Sequence, residues 1–222
     1  MSRNVFQSSQ ASQPLRIAVL ASGSGTTLKY LLDKIEAGKL KAQVVAVFAD
    51  RDCEALNRGQ GIVGLRRELF DRKCLAKEEL DRALADAIEQ SGADFVLLAG
   101  YLSVIGPRVL SGRLSREGRI LNVHPSLLPK YGGMGMYGIR VHRAVLEAGE
   151  PVSGCTLHRV SAEVDRGAIL AQCKVEIRDC DSAEKIAEKV QGLEKKMLLE
   201  YLQEEIAEKI TSEKVPLEEV LA

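Results

Sequence analysis

The stretch Asn122-Val123-His124-Pro125-Ser126-Leu127-Leu128-Pro129 sets an amide and an imidazole two residues apart at the end of an apolar run. In an extended strand, residues two apart face the same side. Both groups therefore project into any cleft above the strand end, where Pro125 turns the chain. An amide donor beside an imidazole suits stabilisation of a developing oxyanion, with the ring available for proton transfer. Asp165, in Glu163-Val164-Asp165-Arg166-Gly167, reads by itself as a turn residue. Brought to His124, its carboxylate would orient the ring and raise its pKa by favouring the imidazolium. A third motif, Gly23-Ser24-Gly25-Thr26-Thr27-Leu28, stands between an apolar run and a helical pattern. A helix N-terminus offers unpaired N–H groups and a positive dipole end, and glycine permits close approach of a phosphate. The GK[ST] ending of a P-loop is absent, and Leu28 stands where a dinucleotide fingerprint has its third glycine. A single phosphate is the expected ligand. His142, in an amphipathic helix beside Arg143, is expected at the surface. His158 lies in a strand, either structural or near the site. Gln191 and Glu194 share a helix face and on spacing alone read as solvated.

The elements that must position these groups follow from the hydrophobic pattern. Leu15–Ala21, Gln43–Ala49 and Phe95–Ala99 are short aliphatic runs of the kind found in buried parallel strands. A shorter strand is expected around Ile62–Leu65 and a fifth over Arg119–Val123. Helices are expected from Thr26 to Gly38, from Asp52 to about Gln60 and over Lys77–Gln90. Alternating β and α elements predict an α/β fold: an open, mostly parallel twisted sheet with helices on both faces. Ligands then bind beyond the carboxyl ends of the strands, where the motifs fall. The second half is less regular. Lys130–Gly138 is a glycine-rich loop, Val141–Ala148 a short helix, and Cys155–Val160 and Ala168–Ile177 are strands. A long helix follows, capped by Ser182 and running to about Ile210. One domain with two lobes is the simplest organisation. Residues 1–14 are a polar extension, 15–105 the nucleotide- and phosphate-binding lobe, 106–210 the catalytic lobe and 211–222 a tail.

Composition narrows the partners. Among 222 residues, 31 Lys plus Arg balance 31 Asp plus Glu, leaving zero formal net charge. No global field draws nucleic acid or an anionic membrane. No apolar run approaches the length of a membrane span, and the first residues lack the apolar core of a secretory signal. Five cysteines without a CxxC pair argue against a disulfide framework or structural zinc, and for a cytoplasmic protein. Three histidines, eighteen and sixteen positions apart, have no metal-ligand spacing, so no metal is expected.

The ordered set SGSGTTL, LAGYL, INVHPSLLPKY, HRVSAEVDRGAILAQ and VQGLEKKM resembles the phosphoribosylglycinamide formyltransferases, folate-dependent enzymes of purine synthesis, over roughly residues 15 to 210. The resemblance implies a Rossmann-like formyltransferase fold. It implies transfer of the formyl group of 10-formyltetrahydrofolate, as co-substrate, to the amine of glycinamide ribonucleotide. It puts Asn122, His124 and Asp165 at the catalytic positions, and Gly25, Thr26, Thr27, Gln191 and Glu194 around the substrate phosphate and ribose. It also puts Lys77, Leu102, Ser103, Val104, Ile105, Asn122, Ser161, Ala162, Glu163, Val164 and Asp165 at the folate. The chain departs from the family pattern at Thr27, where Asn is usual, and at Ser103, where many relatives have a basic residue. The loop Tyr131–Arg140 is longer than in many members. The expected partners are small molecules, with no nucleic acid and no membrane; the sequence does not fix the oligomeric state and leaves a homodimer open.

Two alternatives stand beside this reading. One is a formyltetrahydrofolate hydrolase or another folate formyltransferase. The other, of a different class, is a non-catalytic nucleotide- or dinucleotide-binding module, in which Asp50 at the end of the second strand would take the ribose.

Overall fold

The computed structural model describes residues 13–74, 76–178 and 181–213. Most of the expected N-terminal extension and C-terminal tail, and Cys180, lie outside the described residues. The elements in chain order are β1 (Leu15–Ala21), α1 (Thr26–Glu36), β2 (Ala42–Ala49), α2 (Glu54–Arg58), β3 (Arg66–Leu69), α3 (Lys77–Ser91), β4 (Phe95–Leu98), α4 (Pro107–Leu110), α5 (Arg113–Arg116), β5 (Ile120–His124), α6 (Ile139–Glu147), β6 (Val152–Arg159), β7 (Ile169–Glu176) and α7 (Ala183–Glu213). The strands form one seven-stranded sheet in the order β3-β2-β1-β4-β5-β6-β7. The pairs from β3 to β5 are parallel, whereas β5–β6 and β6–β7 are antiparallel.

The aliphatic runs become central strands because their side chains alternate into two cores. From β1, Leu15, Ile17 and Val19 enter the core under α1 and α7, where Leu28, Leu31, Ile186, Val190 and Leu198 are buried. Ala18 and Leu20 enter the opposite core, with Leu84, Ala87 and Ile88 of α3 and Val109 and Leu114 of α4 and α5. In β4, Phe95 and Leu97 face one core, and Val96 and Leu98 the other. A strand buried on both faces has no polar side to show, so its sequence reads as a continuous apolar run.

Several boundaries differ from the sequence expectation. The third strand is Arg66–Leu69, after the expected Ile62–Leu65. Gly61 and Gly64 adopt φ of 87° and 78°, left-handed conformations that bend the intervening chain out of an extended path. Two four-residue helices, α4 and α5, had no distinct periodic signal. Ser182 caps α7 through its hydroxyl, which accepts the Lys185 N–H at 3.3 Å. His142 is a correction. It is 4% exposed, because α6 buries Val141, His142 and Val145 together.

Candidate active site

The sheet order reverses between β1 and β4, and the chain segments leaving β1, β4 and β5 line one cleft of about 710 Å³. One end is the Gly23–Thr27 loop. Gly25, the residue before α1, has φ 65° and provides no side-chain cap. The first intrahelical bond is Lys29 N–H to Gly25 O at 2.9 Å, and the earlier amides of the helix have no backbone partner among the described residues. A side chain at Gly25 would place its Cβ 2.7 Å from Ala55 Cα, so only glycine fits between this loop and α2. Ser22 ties the loop to the turn after β4. Its hydroxyl accepts the Leu102 N–H at 2.8 Å, and its own N–H donates to Gly100 O at 3.2 Å. Gln191 and Glu194 of α7 line the same cleft. Burial pushes the Glu194 carboxyl up to about 7.

The other end is built around Asp165. Its Oδ2 lies 3.3 Å from His124 Nδ1 and accepts the Gly133 N–H at 2.9 Å. Its Oδ1 lies 3.5 Å from Asn122 Nδ2 and 3.6 Å from His158 Nε2. Four groups from β5, β6 and the glycine-rich loop thus converge on one carboxylate. Asp165 stands at φ 57° and Tyr131, whose carbonyl meets His124, at φ 56°, both left-handed non-glycine residues.

The protonation pattern follows from the partners. A carbonyl oxygen only accepts, so His124 Nε2, 2.8 Å from Tyr131 O, carries hydrogen. His158 Nδ1, 2.9 Å from Arg159 O, does likewise, and its Nε2 lies 3.0 Å from Asn122 Nδ2. His124 Nδ1 faces a carboxylate, an arrangement satisfied when the ring is an imidazolium. Burial opposes that charge and outweighs the pull of Asp165 and Tyr131 O, so His124 titrates below the usual histidine value. Asp165 does raise the ring's pKa, as expected, but burial outweighs it. Asp165 is also burdened by burial. The contact with His158, the Gly133 N–H and the charges of the two rings hold it below the usual carboxylate range.

His124, Asn122, Asp165, Gly25, Thr26, Thr27, Leu102, Ser103, Val104, Ile105, Ser161, Glu163, Val164, Gln191 and Glu194 all line the cleft. Two expected folate residues do not. Ala162 is exposed outside it, and Lys77 lines a neighbouring groove that shares only the wall Leu102–Val104. Ser103 turns aside as well, its hydroxyl donating to Asp50 Oδ2 at 2.6 Å. Asp50 is fully buried, and Arg51 binds both its oxygens at 3.0 Å. A carboxylate so engaged is not presented to a ribose, which removes the sequence basis for the dinucleotide reading. Two further histidines line the cleft: His158, which the sequence leaves open between a structural role and the site, and His142, which it puts at the surface. His158 stands opposite Asn122 in the antiparallel register. His142 lines the cleft with its Nδ1 buried and without a hydrogen-bond partner among the described residues.

The geometry offers an amide and an imidazole at one reacting centre, a carboxylate holding both, and unpaired helix amides at the other end. Residues 15–202 match the family model described as formyl transferase. The chain is 38% identical over 195 residues to a chloroplastic phosphoribosylglycinamide formyltransferase of Arabidopsis thaliana, covering 84% of this chain and 64% of that protein's length. It is 37% identical over 173 residues to the phosphoribosylglycinamide formyltransferase of Haemophilus influenzae, covering 77% of each. Among solved structures, glycinamide ribonucleotide transformylase 1 from Symbiobacterium toebii superposes with a TM-score of 0.76 at 34% identity, covering 86% of this chain and 87% of that one. With half of the chain and more inside that family model, and the sheet and cleft built as described, the chain belongs to the formyl transferase family.

Proposed function

We propose that the protein transfers the formyl group of 10-formyltetrahydrofolate to the amine of glycinamide ribonucleotide, a step of purine biosynthesis. The observation that carries the reading is the convergence of Asn122, His124 and His158 on Asp165, in one cleft with the uncapped start of α1. The nucleotide phosphate takes the free amides of the Gly23–Thr27 loop, with Gln191 and Glu194 beside the ribose. The folate enters along Leu102–Ile105 and Ser161–Asp165.

The substrate amine attacks the formyl carbon and the carbonyl oxygen becomes an oxyanion. Asn122 donates to it by exchanging its long 3.5 Å contact with Asp165 for a close one to the oxyanion. His124, as imidazolium, stabilises the same charge. The amine loses a proton as it becomes the formamide and the folate nitrogen gains one as its C–N bond breaks; His124, whose pKa burial depresses, hands its proton to the folate nitrogen and takes up the proton released by the amine. Asp165 keeps the imidazolium oriented without itself taking the proton. Among the described residues there is no helix long and apolar enough to cross a membrane and no side-chain group suited to a metal. The reading places the protein in the cytoplasm with small-molecule substrates and admits a homodimer.

The test mixes purified protein with both substrates and follows the folate spectroscopically, with glycinamide ribonucleotide omitted in a control. Formyl transfer that requires the nucleotide supports the reading. Deformylation in water alone makes the protein a hydrolase instead.

A further inference from the structure

The cleft has an unusual charge balance for one that holds a phosphate dianion. Glu163, Asp165 and Glu194 line it, and among the described residues no lysine or arginine does. The cation nearest the phosphate loop in the bonding pattern stands behind it. Arg58, at the end of α2, donates from Nε to Ser24 O at 3.0 Å. Its two Nη atoms have no hydrogen bond or ion pair among the described residues. The helix that carries it is locked to the loop, because Ala55 N–H donates to Gly23 O at 3.0 Å and the Arg58 Cγ lies 3.2 Å from where a Gly25 Cβ would be.

We propose that Arg58 is a positioning residue for the phosphate end of the substrate. In a trans peptide the carbonyl and the following N–H point in opposite directions. Holding Ser24 O toward α2 therefore turns the Gly25 N–H away from it, toward the side on which Ser24–Thr27 line the cleft. That N–H makes no hydrogen bond among the described residues. The same guanidinium sets a positive charge directly behind amides that must bind a dianion, offsetting the carboxylates of the lining. Arg58 thus acts through the backbone of the loop, and its effect is confined to ligands bearing the phosphate. The inference rests on the reading of the protein as a glycinamide ribonucleotide formyltransferase.

The experiment compares wild type, R58Q and R58K with two acceptors, glycinamide ribonucleotide and its dephosphorylated ribonucleoside. For R58Q, KM for the nucleotide is expected to rise about tenfold, the size of losing one charge-assisted hydrogen bond. The kcat and the KM for folate stay near wild type, and kcat/KM for the ribonucleoside is unchanged. R58K, which keeps the charge and a donor, restores part of the nucleotide KM. An unchanged nucleotide KM in R58Q, or an equal loss with the ribonucleoside, overturns the role of Arg58. If R58Q does not fold, the same comparison is made with R58K, and a wild-type nucleotide KM together with a reduced kcat there overturns it equally. A wild-type protein that transfers no formyl group overturns the functional reading instead.

Discussion

Replacing Asp165 with asparagine removes one charge and little else. Asparagine tolerates the left-handed backbone at φ 57° better than most residues, and its carbonyl oxygen can still accept the Gly133 N–H. That same oxygen position faces His124 Nδ1, so the ring keeps a neutral acceptor there but loses the full opposite charge that favours the imidazolium. Opposite unit charges at the observed 3.3 Å attract by about 5 kcal/mol at an effective dielectric of 20. An amide dipole retains part of that, so the ring's pKa is expected to fall by about one to three units. Because burial already holds His124 below its usual value, the imidazolium is a minority species at neutral pH. A further fall lowers its population, and kcat with it, by about 10- to 10³-fold. The assay pairs single-turnover formyl transfer at pH 7 with an NMR titration of the three histidine rings. A D165N protein whose His124 titrates at or above the wild-type value, or whose rate stays within twofold, refutes the assignment of Asp165 as the support of the imidazolium.

Three further outcomes are expected. N122A and H124A each lower kcat by about 10²- to 10³-fold with the fold intact, and the double variant loses less than the product, since both act on one oxyanion; stopped-flow kinetics and circular dichroism check this. G25A forces a side chain into a left-handed residue and against Ala55, a strain of about 1–2 kcal/mol from the backbone alone, and it should lower the melting temperature and raise KM for the nucleotide more than for folate. Glu194 titrates at about 7, above the ordinary 4.5, so the folded state holds a proton that the unfolded state has released between those values. Wild-type stability therefore falls as pH rises through that window. E194Q lacks the effect, and its advantage in melting temperature over wild type should grow from pH 5 to pH 8.

The architecture was legible where one residue type had one destiny. Leu15–Ala21 reads as a strand because both its faces are buried, and the glycine after Lys34 and Ile35 marks where α1 ends. The site was legible only in part. Asn122 and His124 are close in sequence and on one strand, so their spacing carries their proximity. Asp165 is distant in the chain, and its turn-like context hides its role without the family resemblance. His158 stays undecided between a structural role and the site because its place depends on which residue β6 sets against Asn122, a register that no local pattern records. His142 is misplaced because the buried face of α6 is wide enough to hold Val141, His142 and Val145 together, His142 lying one turn before Val145. Ser103 and Lys77 occupy the expected segments and yet engage other surroundings, Ser103 the buried Asp50 and Lys77 the adjoining groove.

The connection between β6 and β7 is pinned at its base by the Arg159 N–H bond to Ala168 O at 2.9 Å, while Asp165 rides near its far end. Lengthening such a connection is thermodynamically mild, about 0.6 kcal/mol for each doubling, and the strands beneath keep their pairing. The Asp165 carboxylate, by contrast, would be carried away from the imidazole by a single inserted residue. Robustness and competence are therefore decoupled in this protein: a library selected only for thermal tolerance would retain well-folded members that have lost turnover, with the damage concentrated between residues 160 and 168.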